Sequence, residues 1–217
     1  MYSSKVIDHL EAVHKDVPYT AVAYFYISCK HVHDVKTQSR VNMSTSLMIQ
    51  LCGRRPDTPR AVFDLSRWRD SGLNPPRKEI DQALFSVSKD FTNVYFVIDG
   101  LDECPNADST WDQKDEVEDP RREILELFKM MRGWGLSSMH LMLISRPEPD
   151  IGATLRVLLD APRSFIIDLG TSTHSDQMNR DMGVFIDTEL QDLKFEALAP
   201  EKKTEVKTTL TTKADGM

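Results

Sequence analysis

Two periods alternate along the chain. Between residues 3 and 14, Val6, Ile7, Leu10 and Val13 fall at helical spacing, and Pro18 bars continuation, which predicts a short amphipathic helix. Residues 20–27 form a near-continuous apolar and aromatic run of strand length, the pattern of a strand buried on both faces. Leu47, Met48, Leu51 and Cys52 make a helical stripe within residues 42–52, closed by Gly53, and residues 79–87 make another after Pro75-Pro76. Residues 93–98 and 140–144 repeat the strand pattern. Between them a helix is predicted over 121–131, with Ile124, Leu125, Leu127 and Phe128 on one side, Pro120 at its start and Gly133 past its end. Residues 164–168 are a fourth strand candidate, and 175–214 read as two helices divided near Pro200.

Strands separated by helices at these distances predict an α/β fold with a doubly wound parallel sheet. A chain of 217 residues suits one such unit with an appendage, and 11 Pro with 9 Gly exclude collagen-like and wholly disordered readings. No apolar run reaches the ~18–20 residues of a membrane span, and the acidic N-terminal stretch is unlike a signal peptide, so a soluble, cytoplasmic protein is expected. Three cysteines form neither a CxxC pair nor an even disulfide framework. The net charge of −7 argues against nucleic acid as a partner. Residues 54–78 carry seven basic residues against three acids, which reads as a solvated loop and helix face, and the polar, acidic stretch 104–119 reads as a mobile loop.

Ligands of open parallel sheets sit beyond the carboxyl ends of the strands, which makes the residues directly after the apolar runs the ones to inspect. One run ends on Asp99-Gly100-Leu101-Asp102-Glu103, another on Ser145-Arg146-Pro147. A carboxylate fixed at a strand end can hold Mg²⁺, a hard cation that takes oxygen ligands, and a second carboxylate can orient an attacking water. A hydroxyl beside a fixed cation suits a terminal phosphate. The plainer alternative is that Asp99-Gly100 opens a turn and the acids face solvent. Cys29, His31 and His33 form a C-x-H-x-H cluster whose side chains alternate onto one side of an extended segment, but the Cys₂His₂ zinc spacings are absent and a polar loop is the simpler reading. Cys104, beside carboxylates, makes a poor nucleophile.

Residues 94–105, V-Y-F-V-I-D-G-L-D-E-C-P, resemble the Walker B segment of NACHT-type (STAND) P-loop NTPases, and above all that of fungal NACHT proteins with a nephrocystin-3-like N-terminal domain, often joined to ankyrin or other repeats. Residues 141–151, L-M-L-I-S-R-P-E-P-D-I, are similar to the family's sensor 1 segment, and 22–26, V-A-Y-F-Y, to its second strand. The resemblance runs from about residue 3 to residue 217. It implies Asp99 as the Mg²⁺-associated carboxylate, Glu103 and Asp102 as the pair positioning the hydrolytic water, and Ser145 and Arg146 as contacts of the nucleotide phosphates. ATP or GTP with Mg²⁺ would be the cofactor.

No G-x-x-x-x-G-K-[ST] occurs in the chain, although that loop supplies the phosphate-cradling amides and the Lys and Ser/Thr of the site. Residues 3–14 match the helix that follows the loop, so the chain is expected to start about one turn beyond it, as a truncated module. The expected architecture is a three-layer P-loop NTPase-like parallel sheet with helices on both faces, lacking the P-loop strand. Residues 140–144 would then lose one neighbour and 164–168 their usual partner. Residues 1–170 would form the partial nucleotide-binding core and 171–217 its helical extension. The expected function is that of an ATP/GTP-dependent signalling switch with weak or absent hydrolysis. The alternative is a non-enzymatic module whose partners are other proteins or full-length NACHT relatives, with no membrane contact.

Overall fold

The computed structural model describes residues 2–28, 39–104, 119–159, 164–168 and 172–213. The C-x-H-x-H cluster at 29–33 and most of the acidic stretch, 105–118, lie outside the described residues. In chain order the elements are α1 (Tyr2–Val13), β1 (Thr20–Tyr26), α2 (Arg40–Cys52), α3 (Arg60–Asp70), α4 (Arg77–Ser88), β2 (Asn93–Asp99), a 3₁₀ turn (Leu101–Glu103), α5 (Pro120–Gly133), β3 (Met139–Ile144), α6 (Pro149–Leu159), α7 (Ser172–Glu189), a second 3₁₀ turn (Leu193–Phe195) and α8 (Pro200–Lys213). They divide into two compact units, Met1–Pro162 and Arg163–Met217. No helix among the described residues is long and apolar enough to cross a membrane.

The first unit is built on a three-stranded sheet in the order β1-β2-β3, parallel throughout. Side chains alternate across a strand, so each run of apolar residues feeds two faces. Ala21, Ala23, Val94, Phe96 and Ile98 share one core with Met43, Leu47 and Leu51 of α2, Leu84 and Val87 of α4, and Ile124, Leu127 and Phe128 of α5. On the opposite face Val22 and Val97 pack with Ile7 of α1, flanked by Leu10, Tyr95 and Ile144. Helices therefore cover both faces, as expected for strands that are apolar on each side.

Capping fixes where these helices begin. The Ser39 hydroxyl accepts the Asn42 amide ahead of α2, and the Asp119 carboxylate accepts the Arg122 amide ahead of α5, with Pro120 in the first turn. The basic stretch 54–78 contains α3 and is largely neutralised from other elements. Arg54 pairs with Glu11, Arg55 with Asp57 and Asp90, Arg67 with Glu79, and Arg77 with Glu123. More deeply, Arg40 of α2 meets Asp81 of α4 at 2.6 Å with both side chains at most 12% exposed, and Ser44 donates to the other carboxylate oxygen at 3.2 Å.

Two expectations need revision. The fourth strand is absent: residues 164–168 take no strand assignment, and Phe165, Ile166 and Ile167 are 77%, 68% and 60% exposed. A strand exists only as a member of a hydrogen-bonded pair, and none of the strands described pairs with this run, whose composition alone is strand-like. Conversely, α6 appears where no helix was expected, while α3 supplies the helix face read within residues 54–78. The second unit is a helical hairpin. Lys203 donates to the Leu190 carbonyl at 2.8 Å and Lys207 pairs with Asp187 at 2.6 Å, so α7 and α8 run antiparallel with Ile186 and Leu190 buried.

At the other end of the sheet from the chain's acidic turn, Tyr95 is sandwiched between His14 and His140, with ring centroids 5.1 and 4.6 Å away. Partial burial holds the His140 pKa below its ordinary 6.5, and the imidazole of His14 adds to the effect. The folded state thus takes up this proton at lower pH than the unfolded chain does. Stability is expected to fall as pH drops below about 6.5, and His140→Gln should flatten that limb of a melting-temperature profile against pH. For the buried ion pair, Asp81→Ala leaves an uncompensated guanidinium and should cost about 3 kcal/mol in urea unfolding, whereas Arg40→Met combined with Asp81→Leu should recover much of that loss.

Candidate functional site

β2 is hydrogen-bonded along both edges, and its carboxyl end sits between the ends of β1 and β3, with Asp99 in register with Tyr26 and Ile144. The turn that follows is fastened to both neighbours. The Ile27 amide donates to the Asp99 carbonyl at 2.9 Å, and the Gly100 amide donates to the Ile144 carbonyl at 3.2 Å. Gly100 has φ +79°, and a Cβ there would lie 2.5 Å from the Ile27 carbonyl oxygen, so only glycine fits. Leu101 and Cys104 are fully buried and anchor the 3₁₀ turn that carries Asp102 and Glu103.

Asp99 accepts a 2.5 Å hydrogen bond on Oδ2 from the hydroxyl of Ser3, itself buried in α1. This contact ties the first turn of α1 to the end of the central strand. The Asp102 carboxylate is directed at the other predicted segment: its Oδ1 accepts the Arg146 amide at 3.0 Å and the Ser145 hydroxyl at 3.4 Å, while the Arg146 Nε lies 3.7 Å from Oδ2. The Asp102 side chain is 11% exposed and that of Arg146 68% exposed. Glu103 is half-buried on the same turn. The structure thus brings Asp99, Asp102, Ser145 and Arg146 to the carboxyl ends of adjacent strands, with Glu103 one residue from the bridge. Among the described residues, no group of three or more His, Cys, Asp or Glu side chains is arranged to hold a metal ion.

Two residues absent from the sequence-based set prove central. One is Ser3. The other is Arg121, buried at the start of α5, whose Nε donates to the Cys104 carbonyl at 2.9 Å and one terminal nitrogen to the Asp102 carbonyl at 2.6 Å. Its signal was present in the helical pattern, since Arg121 shares the i, i+3, i+4, i+7 face with Ile124, Leu125 and Phe128, where a charge needs a reason. Burial pushes the Cys104 thiol up to about 12, against the opposing pull of Arg121 and with a smaller contribution from Asp119, so this cysteine is inert at neutral pH.

A parallel α/β sheet whose central strand ends in a clamped acidic turn, facing a Ser-Arg pair on the next strand, defines the class of the first unit. Residues 1–146 match the family model described as Nephrocystin 3, N-terminal, and the chain belongs to that family. Neither a curated protein nor a solved structure matches the chain.

The tightness of the turn predicts unequal costs for glycine substitution. Gly100→Ala should destabilise by at least about 2 kcal/mol in urea unfolding, because it adds a backbone clash to left-handed strain. Gly72→Ala, at φ +72° with open space around it, should carry the strain alone and cost less.

Proposed function

We propose that this chain is the core of a NACHT-type nucleotide-responsive switch, one that binds Mg²⁺-ATP or Mg²⁺-GTP weakly and hydrolyses it slowly. The observation that carries this reading is the bridge from Asp102 to Ser145 and Arg146, which sets an acidic turn and an exposed cation side by side at the ligand-binding end of a parallel sheet. Asp99 and the Ser3 hydroxyl are oxygen donors of the kind Mg²⁺ takes, and Mg²⁺ commonly needs only one or two carboxylates beside phosphate and water. When bound, the ion would neutralise phosphate charge.

The remaining roles follow from position on the turn for Glu103 and from contacts for Asp102 and Arg146. Glu103 is assigned the orientation of water. Asp102, its carboxylate engaged with the Ser145-Arg146 segment, is assigned to positioning. Arg146, most of its side chain in solvent, is assigned to a terminal phosphate. Low activity is part of the proposal because the 217 residues contain no G-x-x-x-x-G-K-[ST] to cradle the phosphates. The second reading is a protein-interaction module without turnover.

Calorimetric titration of the chain with ATP and GTP in Mg²⁺ separates the two. Saturable binding is expected, weakened roughly 10- to 100-fold in Arg146→Ala, as for loss of one charge-assisted hydrogen bond. Glu103→Ala should keep the binding and lower any slow hydrolysis. A folded sample that binds neither nucleotide overturns the switch reading and leaves the interaction module.

A further inference from the structure

Arg121 does more than satisfy two carbonyls. Its guanidinium is a planar fork with five donors, and at this site its edges serve different elements. The short bonds, 2.6 and 2.9 Å, go to the carbonyls of Asp102 and Cys104, the residues on either side of Glu103. The Asp102 carbonyl belongs to the peptide that enters Glu103, and the peptide that leaves it is held by the Cys104 amide on the Leu101 carbonyl, with Arg121 on the Cys104 carbonyl one peptide further on, so the backbone is pinned on both sides of the Glu103 side chain. The remaining edge faces the Asp150 carboxylate in the first turn of α6 at 3.4 and 3.5 Å. The Arg121 side chain is 7% exposed and that of Asp150 45% exposed.

The two ends of this bracket are unequal, and the inequality has a use. A buried guanidinium held by carbonyl dipoles alone is poorly compensated, so the carboxylate that balances its charge draws the head of α6 toward it. α6 begins three residues after Arg146, and Ile151 in its first turn is buried in the same core as Ile124 and Phe128 of α5. The acidic turn and the Ser145–Asp150 segment are therefore joined twice, once by the Asp102 carboxylate and once by Arg121.

We propose that Arg121 is a positioning residue that sets Glu103 and couples the acidic turn to the head of α6, so that a displacement of either is felt by the other. As regulation of a nucleotide site this rests on the switch reading; as a coupling within the fold it is measurable without any nucleotide. The experiment is hydrogen exchange on the full chain, free of nucleotide, in wild type, Arg121→Met, Arg121→Lys and Asp150→Asn. The reporters are the amides of Glu103 and Cys104 in the turn, bonded to the Gly100 and Leu101 carbonyls, and that of Gly152, bonded to the Glu148 carbonyl.

In Arg121→Met, both sets should exchange about tenfold faster or more, while α2 and α4 keep wild-type rates. Lysine supplies a point charge without the fork, so Arg121→Lys should protect Gly152 and release the turn. Asp150→Asn should accelerate Gly152 strongly and the turn by a smaller factor. The proposal is overturned if Arg121→Met accelerates exchange evenly through α2 and α4, which would mark a merely stabilising role. It is equally overturned if Asp150→Asn leaves the turn unchanged. Should Arg121→Met fail to fold, the half-exposed Asp150 and the lysine variant still decide the matter. Failure to bind nucleotide would sink the switch reading and leave this coupling standing or falling on the exchange data.

Discussion

The carboxyl end of β2 is the point on which the first unit turns. β2 is the strand paired along both edges, and Val94, Phe96, Val97 and Ile98 bury it on both faces. A strand so placed cannot shift by one residue without carrying Phe96 out of one core and Val97 out of the other. Its last residue, Asp99, is accordingly fixed, and the Ile27 and Gly100 amide bonds carry that fixity into the turn beyond. Gly100 makes the close approach to Ile27 sterically possible, and fully buried Leu101 and Cys104 then commit the turn to the core. The polar residues are held by an apolar frame.

Polar contacts extend the same constraint to α1, α5 and the end of β3. Ser3 links α1 to Asp99, Arg121 links α5 to the backbone of the turn, and Asp102 links the turn to Ser145 and Arg146. Ser3 and Arg121 are buried, so their hydrogen bonds work in a lower dielectric than at the surface, where the loss of one would be cheap. The ion pairs spread over residues 54–78 are of the opposite kind. Arg54–Glu11 and Arg67–Glu79 lie where solvent screens them, and they neutralise a basic segment more than they hold it in place.

The strands were legible because each packs six or seven residues of strand-forming sequence between breakers, and their parallel order follows from the helices between them. The run at 164–168 misled for the same reason: its composition is local, whereas pairing depends on where another strand lies. α6 left a trace, Ile151, Leu155 and Leu158 at helical spacing, obscured by Pro149 and Gly152 in its first turn. Asp99, Asp102, Glu103, Ser145 and Arg146 could be read from position alone, since parallel register makes strand ends coincide. Ser3 could not, because its contact spans 96 residues and a serine in an amphipathic helix carries no signal of its own. Arg121 left one, a cation on an apolar stripe, whose meaning depended on carbonyls that only the folded turn presents.

The candidate side chains differ in how much of their chemistry the fold has already used. Asp99 accepts from Ser3, so any cation approaching it must share or displace a part-buried 2.5 Å hydrogen bond. Asp102 spends its carboxylate on the backbone and hydroxyl of the neighbouring segment, which makes it an organiser of the site. Arg146 is the counterexample, held through its backbone while its side chain is 68% exposed and its Nε makes a long contact of 3.7 Å with Asp102. On the switch reading, a fixed backbone under a largely exposed cation suits a mobile anion, because the Asp102 bridge meets the ordering cost before the anion arrives. On the switch reading, the same bridge makes recognition informative: an anion that draws on Arg146 also pulls on Asp102, and through the carbonyls held by Arg121 on the acidic turn itself.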